Sequence, residues 1–176
     1  MTPTKRFVEL NKSKHDRQSF ECGSEELNQF IRRYALQHRH AGISKTTVLP
    51  ARKTPGSDLP AICSYYTLSH TEIERQALPK AQSKKLPFYP VPVLLIGQLA
   101  INTGCQGQGL GKITLVRALR HCLEINAHLP SYAVIVDALE DDVQAFYEQY
   151  GFSVLDIYNG RTRLYLPMKT IEQLFG

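Results

Sequence analysis

Val93-Leu94-Leu95-Ile96-Gly97-Gln98-Leu99-Ala100-Ile101, followed shortly by Gln106-Gly107-Gln108-Gly109-Leu110-Gly111-Lys112, is the stretch on which the fold turns. Its first half is nearly unbroken in apolar residues, the pattern of a strand buried on both faces. Gly97 and Gln98 interrupt that run as a bulge would. From Gly109 the spacing predicts a long helix with Leu110, Ile113, Val116, Leu119 and Leu123 on one stripe. A glycine loop between a buried strand and a helix offers unpaired amides and the positive end of the helix dipole, which together suit a phosphate group. Two common nucleotide loops fail on spacing. A Walker loop ending at Gly111-Lys112 needs a glycine at 106 and Ser or Thr at 113, where Gln106 and Ile113 stand. A dinucleotide fingerprint starting at Gly107 needs Gly or Ala at 112, where Lys112 stands.

Upstream, Ser24 before Glu25 and Glu26 reads as a helix start, a hydroxyl cap with carboxylates at the positive dipole end. Leu27, Phe30, Ile31 and Tyr34 continue that helix to about His38. Residues 46–49 and 62–68 are rich in β-branched and aromatic side chains and read as neighbouring strands. Between 71 and 93 lie Pro79, Pro87, Pro90 and Pro92, which predict an extended loop leading into the buried strand. Downstream, 134–138 reads as a strand and 141–150 as a helix closed by Gly151. Residues 153–156 and 163–166 pair across the turn signal Asn159-Gly160. The order predicts an α/β (α+β) fold, a mixed central sheet flanked by helices, with residues 1–176 forming a single domain.

The 176 residues suit one sizeable core, and 43% hydrophobic content with nine Tyr and seven Phe argues against disorder. No apolar stretch approaches the roughly 20 residues that span a bilayer, and the opening Met1-Thr2-Pro3-Thr4-Lys5-Arg6 leads into no signal-type run. A soluble, cytoplasmic protein with no membrane partner is expected. Cys22, Cys63, Cys105 and Cys122 are scattered and are expected as reduced thiols, Cys105 as a packing residue. His38 and His40 diverge on a helix end, so no metal is expected. The formal charge of +5 favours polyanionic partners.

Gln106, Gly109 and Gly111 meet the pattern Gln/Arg-x-x-Gly-x-Gly/Ala, and the segment from Ala138 to Phe152 resembles Ala-x-x-Phe-Tyr-x-x-x-Gly-Phe, most closely from Phe146 onward. On these motifs the chain resembles the GNAT N-acetyltransferases. Phe20-x-Cys22-Gly23, Leu27-Asn28-x-Phe30, Tyr65-Tyr66-x-Leu68-Ser69, Pro87-x-Tyr89-Pro90-Val91-Pro92-Val93 and Gln98-Leu99-Ala100 are similar, over nearly the whole chain, to acetyltransferase toxins of bacterial toxin–antitoxin pairs. Gln98 stands where many of those relatives carry Arg.

The resemblance implies the GNAT fold and acetyl-CoA as co-substrate. It implies that strand amides near Leu99, Ala100 and Ile101 hold the thioester and pantetheine, while the loop Gln106, Gly107, Gln108, Gly109, Leu110, Gly111 and Lys112 holds the pyrophosphate. It implies direct attack by an amine, with Tyr147 as general acid toward the departing thiolate; a phenol of pKa about 10 suits that role. Read without the family, Val143, Phe146, Tyr147 and Tyr150 form an ordinary core stripe. The toxin likeness further implies that the acceptor is the α-amine of an aminoacyl-tRNA. Such an amine, with pKa near 8, is partly neutral without a strong base, and Glu140, Asp141 and Asp142 read as an acidic helix start. Phosphate contacts would then fall to Arg32, Arg33 and Arg39 on the first helix and Lys80, Lys84 and Lys85 on the proline-rich loop. A ribbon-helix-helix antitoxin, a homodimer, and operator DNA reached only through the antitoxin complex are the implied partners. Acetylation of a small amine or protein N-terminus, and a non-catalytic CoA-binding module, stand as the other readings.

Overall fold

The computed structural model describes residues 1–53, 56 and 58–176. Strands β1 (Val8–Glu9), β2 (Lys45–Pro50), β3 (Ile62–Ile73), β4 (Val91–Ile101), β5 (Ala133–Ala138), β6 (Ser153–Tyr158) and β7 (Arg161–Pro167) form one mixed sheet in the order β1-β2-β3-β4-β5-β7-β6. The residues group into two compact units, Met1–Ser69 with Gly97–Ala118, and His70–Ile96 with Leu119–Gly176.

In the first unit, Ser24 caps helix α1 (Glu25–Gln29) by accepting the Leu27 amide at 3.4 Å. The helix does not continue regularly to His38 as the periodicity predicts. A π-helical segment, Phe30–Tyr34, separates α1 from α2 (Ala35–His40). Phe30, Ile31 and Ala35 all lie on the buried side of this segment. They pack with Phe20, Val48 and Tyr65. Phe20 meets Tyr65 edge to face at 5.2 Å, and the Tyr65 hydroxyl donates to the Leu27 carbonyl at 2.7 Å. The expected pairing of β2 with β3 is antiparallel, with Val48 opposite Tyr65; β1, too short to show a sequence pattern, adds Val8 opposite Val48.

In the second unit, β4 runs parallel to β5 from Leu94 opposite Val134 to Ile96 opposite Val136, and β7 lies antiparallel between β5 and β6. The Asn159-Gly160 turn forms as expected, with φ of 50° and 75°. Helix α5 (Asp141–Gln149) ends on Gly151, whose φ of 95° suits a residue without Cβ.

Two further expectations are corrected, and one element is new. The stretch 71–93 is not all loop: β3 extends to Ile73, and a short helix α3 (Lys80–Ser83) starts on Pro79, whose carbonyl accepts the Gln82 and Ser83 amides at 2.9 Å. Proline is tolerated there because a helix start needs no amide from it. The buried face of α4 (Leu110–Asn126) is Leu110, Thr114, Leu115, Ala118, Leu119 and Cys122, while Ile113 is 49% exposed. Thr114 turns inward because its hydroxyl donates to the Ser64 hydroxyl at 2.9 Å, which satisfies a polar group no hydropathy pattern would bury. The C-terminal helix α6 (Met168–Phe175) has no counterpart among the expected elements; its short apolar signal comes from Met168 and Ile171, both buried.

Candidate active site

The glycine loop is rooted by a residue that sequence reasoning passed over. Asn102, 4% exposed, donates its amide to the Cys63 carbonyl at 2.8 Å and its Nδ2 to the Ile62 carbonyl at 3.0 Å. Its Oδ1 accepts the Gly104 amide at 3.0 Å. One buried side chain therefore ties the end of β4 to β3 and bends the chain into the loop; the available signal was an Asn directly after a strand pattern. Gln106 folds its Nε2 back onto the Ile101 carbonyl at 3.2 Å. Gly107 and Gly109 adopt φ of 81° and 74°, and a Cβ on either would meet nothing within 4 Å, so the loop presents backbone to open space.

Leu110 is buried with Cys63 and Cys105 and anchors the start of α4. Burial, and then the hydrogen bond with Cys105, pushes the Cys63 thiol up to about 12, so this cluster is packing, as expected of Cys105. The amides of Leu110, Gly111 and Lys112 open α4, where no intrahelical acceptor precedes them. Gln106, Gly107, Gln108, Gly109 and Lys112 are exposed and Gly111 half-buried; on β4, Ala100 is buried and Leu99 and Ile101 half-buried. These residues form one continuous feature within the first unit.

Tyr147 belongs to the second unit, on α5. It is buried, and burial lifts its phenol well above the ordinary range. Phe146 and Phe152 meet it edge to face at 5.2 and 5.4 Å. No described residue hydrogen-bonds its hydroxyl. The expected core stripe narrows to this residue, because Val143 is exposed and Phe146 and Tyr150 are only half-buried. A neutral phenol held by aromatic edges can donate a proton, and burial keeps the proton on it at any cellular pH. Glu140, Asp141 and Asp142 are exposed at the start of α5, as an acidic helix start should be.

The cationic candidates divide. Arg32 is half-buried and donates to the Phe20 carbonyl, while its own carbonyl accepts from Arg17 at 3.0 Å, so it braces the fold rather than offering a free charge. Arg39 pairs with Glu9 at 2.9 Å. Arg33 is exposed, and Lys80, Lys84 and Lys85 are exposed on and just after α3 without an acidic partner among the described residues. Among the described residues no group of His, Cys, Asp and Glu could hold a metal ion, and no helix is long and apolar enough to cross a membrane.

A buried strand that delivers a two-glycine loop to a helix start, with neither Walker nor dinucleotide spacing, leaves open backbone amides suited to a phosphate group. Residues 74–152 match the model of the Acetyltransferase (GNAT) family. A tRNA-acetylating toxin of Mycobacterium tuberculosis is 28% identical over 158 residues, covering 90% of this chain and 89% of that one. Among solved structures, AtaT complexed with acetyl-methionyl-tRNAfMet superposes with a TM-score of 0.85 at 30% identity, covering 97% of this chain and 99% of that one. AtaTR bound with AcCoA gives 0.82 at 31% identity, with 97% and 98% covered. The chain belongs to the GNAT acetyltransferase family.

Proposed function

We propose that the protein transfers an acetyl group from acetyl-CoA to the α-amine of an aminoacyl-tRNA, which blocks that amine from peptide-bond formation. The observation that carries the reading is the loop at Gly107 and Gly109, open backbone at a helix start, in a chain alike over 90% of its length to a tRNA-acetylating toxin and over 97% to AtaT solved with acetyl-methionyl-tRNAfMet.

In this reading the amides of Gly107 to Lys112 bind the pyrophosphate, and the β4 backbone at Leu99, Ala100 and Ile101 orients the pantetheine arm and polarises the thioester carbonyl. The acceptor amine, with pKa near 8, attacks in its neutral fraction. The C–N bond forms as the C–S bond breaks, Tyr147 gives its proton to the leaving sulfur, and the proton shed by the acylated nitrogen passes to solvent, from which the Tyr147 phenolate is reprotonated. A thiolate expelled into apolar surroundings would be raised in basicity by the same desolvation that raises the phenol, so donor and acceptor stay matched. The loop and Tyr147 act in one reaction and the chain works as a single catalytic domain. Lys80, Lys84, Lys85 and Arg33 supply phosphate contacts. The protein acts in the cytoplasm as a homodimer, is held in check by a ribbon-helix-helix antitoxin, and meets operator DNA only through that complex.

The test is incubation of purified protein with radiolabelled acetyl-CoA and total aminoacylated tRNA, against uncharged tRNA, polyamines and peptides. Label confined to charged tRNA is expected. Label on polyamines or peptides instead would assign a small-amine or N-terminal acceptor, and bound acetyl-CoA without turnover would assign a binding module.

A further inference from the structure

Phe88 is 87% exposed and Tyr89 73% exposed, the two most solvent-accessible aromatic side chains among the described residues. Adjacent large aromatics in water lose the burial that usually places them, so what fixes them here matters. Pro87, Pro90 and Pro92 limit the backbone on both sides of the pair. Arg75 supports it from below: its Nε donates to the Leu86 carbonyl at 3.2 Å and its guanidinium lies 4.1 Å from the Phe88 ring centroid. Together with Glu74, Gln76 and Pro90 they enclose a recess of about 120 Å³. Arg75 thus covers one part of the Phe88 ring and leaves the rest open to solvent.

Between residues 72 and 92 stand four cations, Arg75, Lys80, Lys84 and Lys85, against two carboxylates, Glu72 and Glu74. The three lysines are exposed and without an acidic partner among the described residues. Fixed exposed aromatics inside a cationic segment are the combination that binds single-stranded nucleic acid, the rings stacking on bases and the lysines tracking phosphates.

Resting on the tRNA reading above, we propose that Phe88 and Tyr89 form a stacking platform for the unpaired 3′ nucleotides of the acceptor, with Lys84 and Lys85 holding the adjoining phosphates. The platform selects an RNA end with an overhang over a blunt one, whatever its sequence, because every base has a face to stack.

The test compares binding of two uncharged acceptor-stem RNA hairpins, one with an unpaired 3′ overhang and one blunt, to wild type, Phe88→Ala/Tyr89→Ala and Lys84→Ala/Lys85→Ala. Wild type is expected to prefer the overhang by about tenfold. The aromatic variant should lose that preference while keeping its affinity for the blunt hairpin and for acetyl-CoA. The lysine variant should weaken both hairpins and flatten the salt dependence. Phe88→Trp, which keeps a stacking face, should preserve the preference, and Phe88→Leu should lower it. A preference unchanged in Phe88→Ala/Tyr89→Ala overturns the platform even if charged tRNA is acetylated normally. Loss of self-association with that preference intact would make the pair a contact between copies and also overturn it. If wild type binds neither hairpin and does not label charged tRNA, the tRNA reading falls and the platform with it.

Discussion

Arg163 and Asp137 form a two-pronged ion pair between register partners on β7 and β5: Nε to Oδ1 at 2.8 Å and Nη2 to Oδ2 at 2.9 Å. Arg163 is 6% exposed, and its guanidinium stacks 4.0 Å from the Tyr158 ring centroid. Removing one member leaves the other desolvated and unpaired, which is costlier than the pair is favourable. Arg163→Ala should therefore lose about 3 kcal/mol of stability, read as a lowered midpoint of urea unfolding. Arg163→Lys should lose less, because it keeps the charge but not the fork.

Tyr147→Phe separates catalysis from folding. The hydroxyl has no hydrogen-bond partner among the described residues, so its removal should leave the melting temperature within about 2 °C of wild type or raise it slightly. Turnover should fall at least about 100-fold, as loss of a general acid does, with acetyl-CoA affinity unchanged. Wild-type turnover in the Tyr147→Phe variant would remove the phenol from the mechanism.

Gly109→Ala probes the loop. The Cβ has room, but a φ of 74° is costly for any L side chain, by about 1–2 kcal/mol. The loop should relax away from its ligand-ready shape, and acetyl-CoA should bind roughly tenfold more weakly by calorimetry. Global stability should change little if the loop relaxes rather than the fold.

His15 makes stability depend on pH. It is 5% exposed, its Nδ1 accepts the Asn11 amide at 3.0 Å, and burial, then the Lys14 charge, lowers its pKa below 6.5. The unfolded chain thus binds a proton near pH 6.5 that the folded chain refuses. The contribution of neutral His15 is intact above that pH and declines as pH falls below it toward the folded pKa. Urea unfolding between pH 5 and 8 should show this fall, and His15→Gln should flatten it.

Much of this protein is local and was legible. The Ser24 cap, the β2, β3 and β5 segments, the Asn159-Gly160 turn and the Gly151 stop each follow from residue types acting on their own backbone. Legibility stopped where partners distant in sequence set the outcome. The inward turn of Thr114 needs Ser64, and the root of the loop at Asn102 needs the carbonyls of Ile62 and Cys63. The π-helical segment was not written in the apolar period that runs through it, and the hydrogen bond from Arg32 to the Phe20 carbonyl joins residues twelve apart.

The sequence by itself determined the family and the order of the main strands and helices, because motif spacing and hydrophobic period are properties of the chain alone. Only the tertiary structure decided which member of the α5 stripe is buried, which of the lysines on and after α3 are exposed, and that Phe88 and Tyr89 stand in solvent with Arg75 against the Phe88 ring. Exposure and pairing are fixed by what packs or fails to pack against a side chain, and that is not written at any single position.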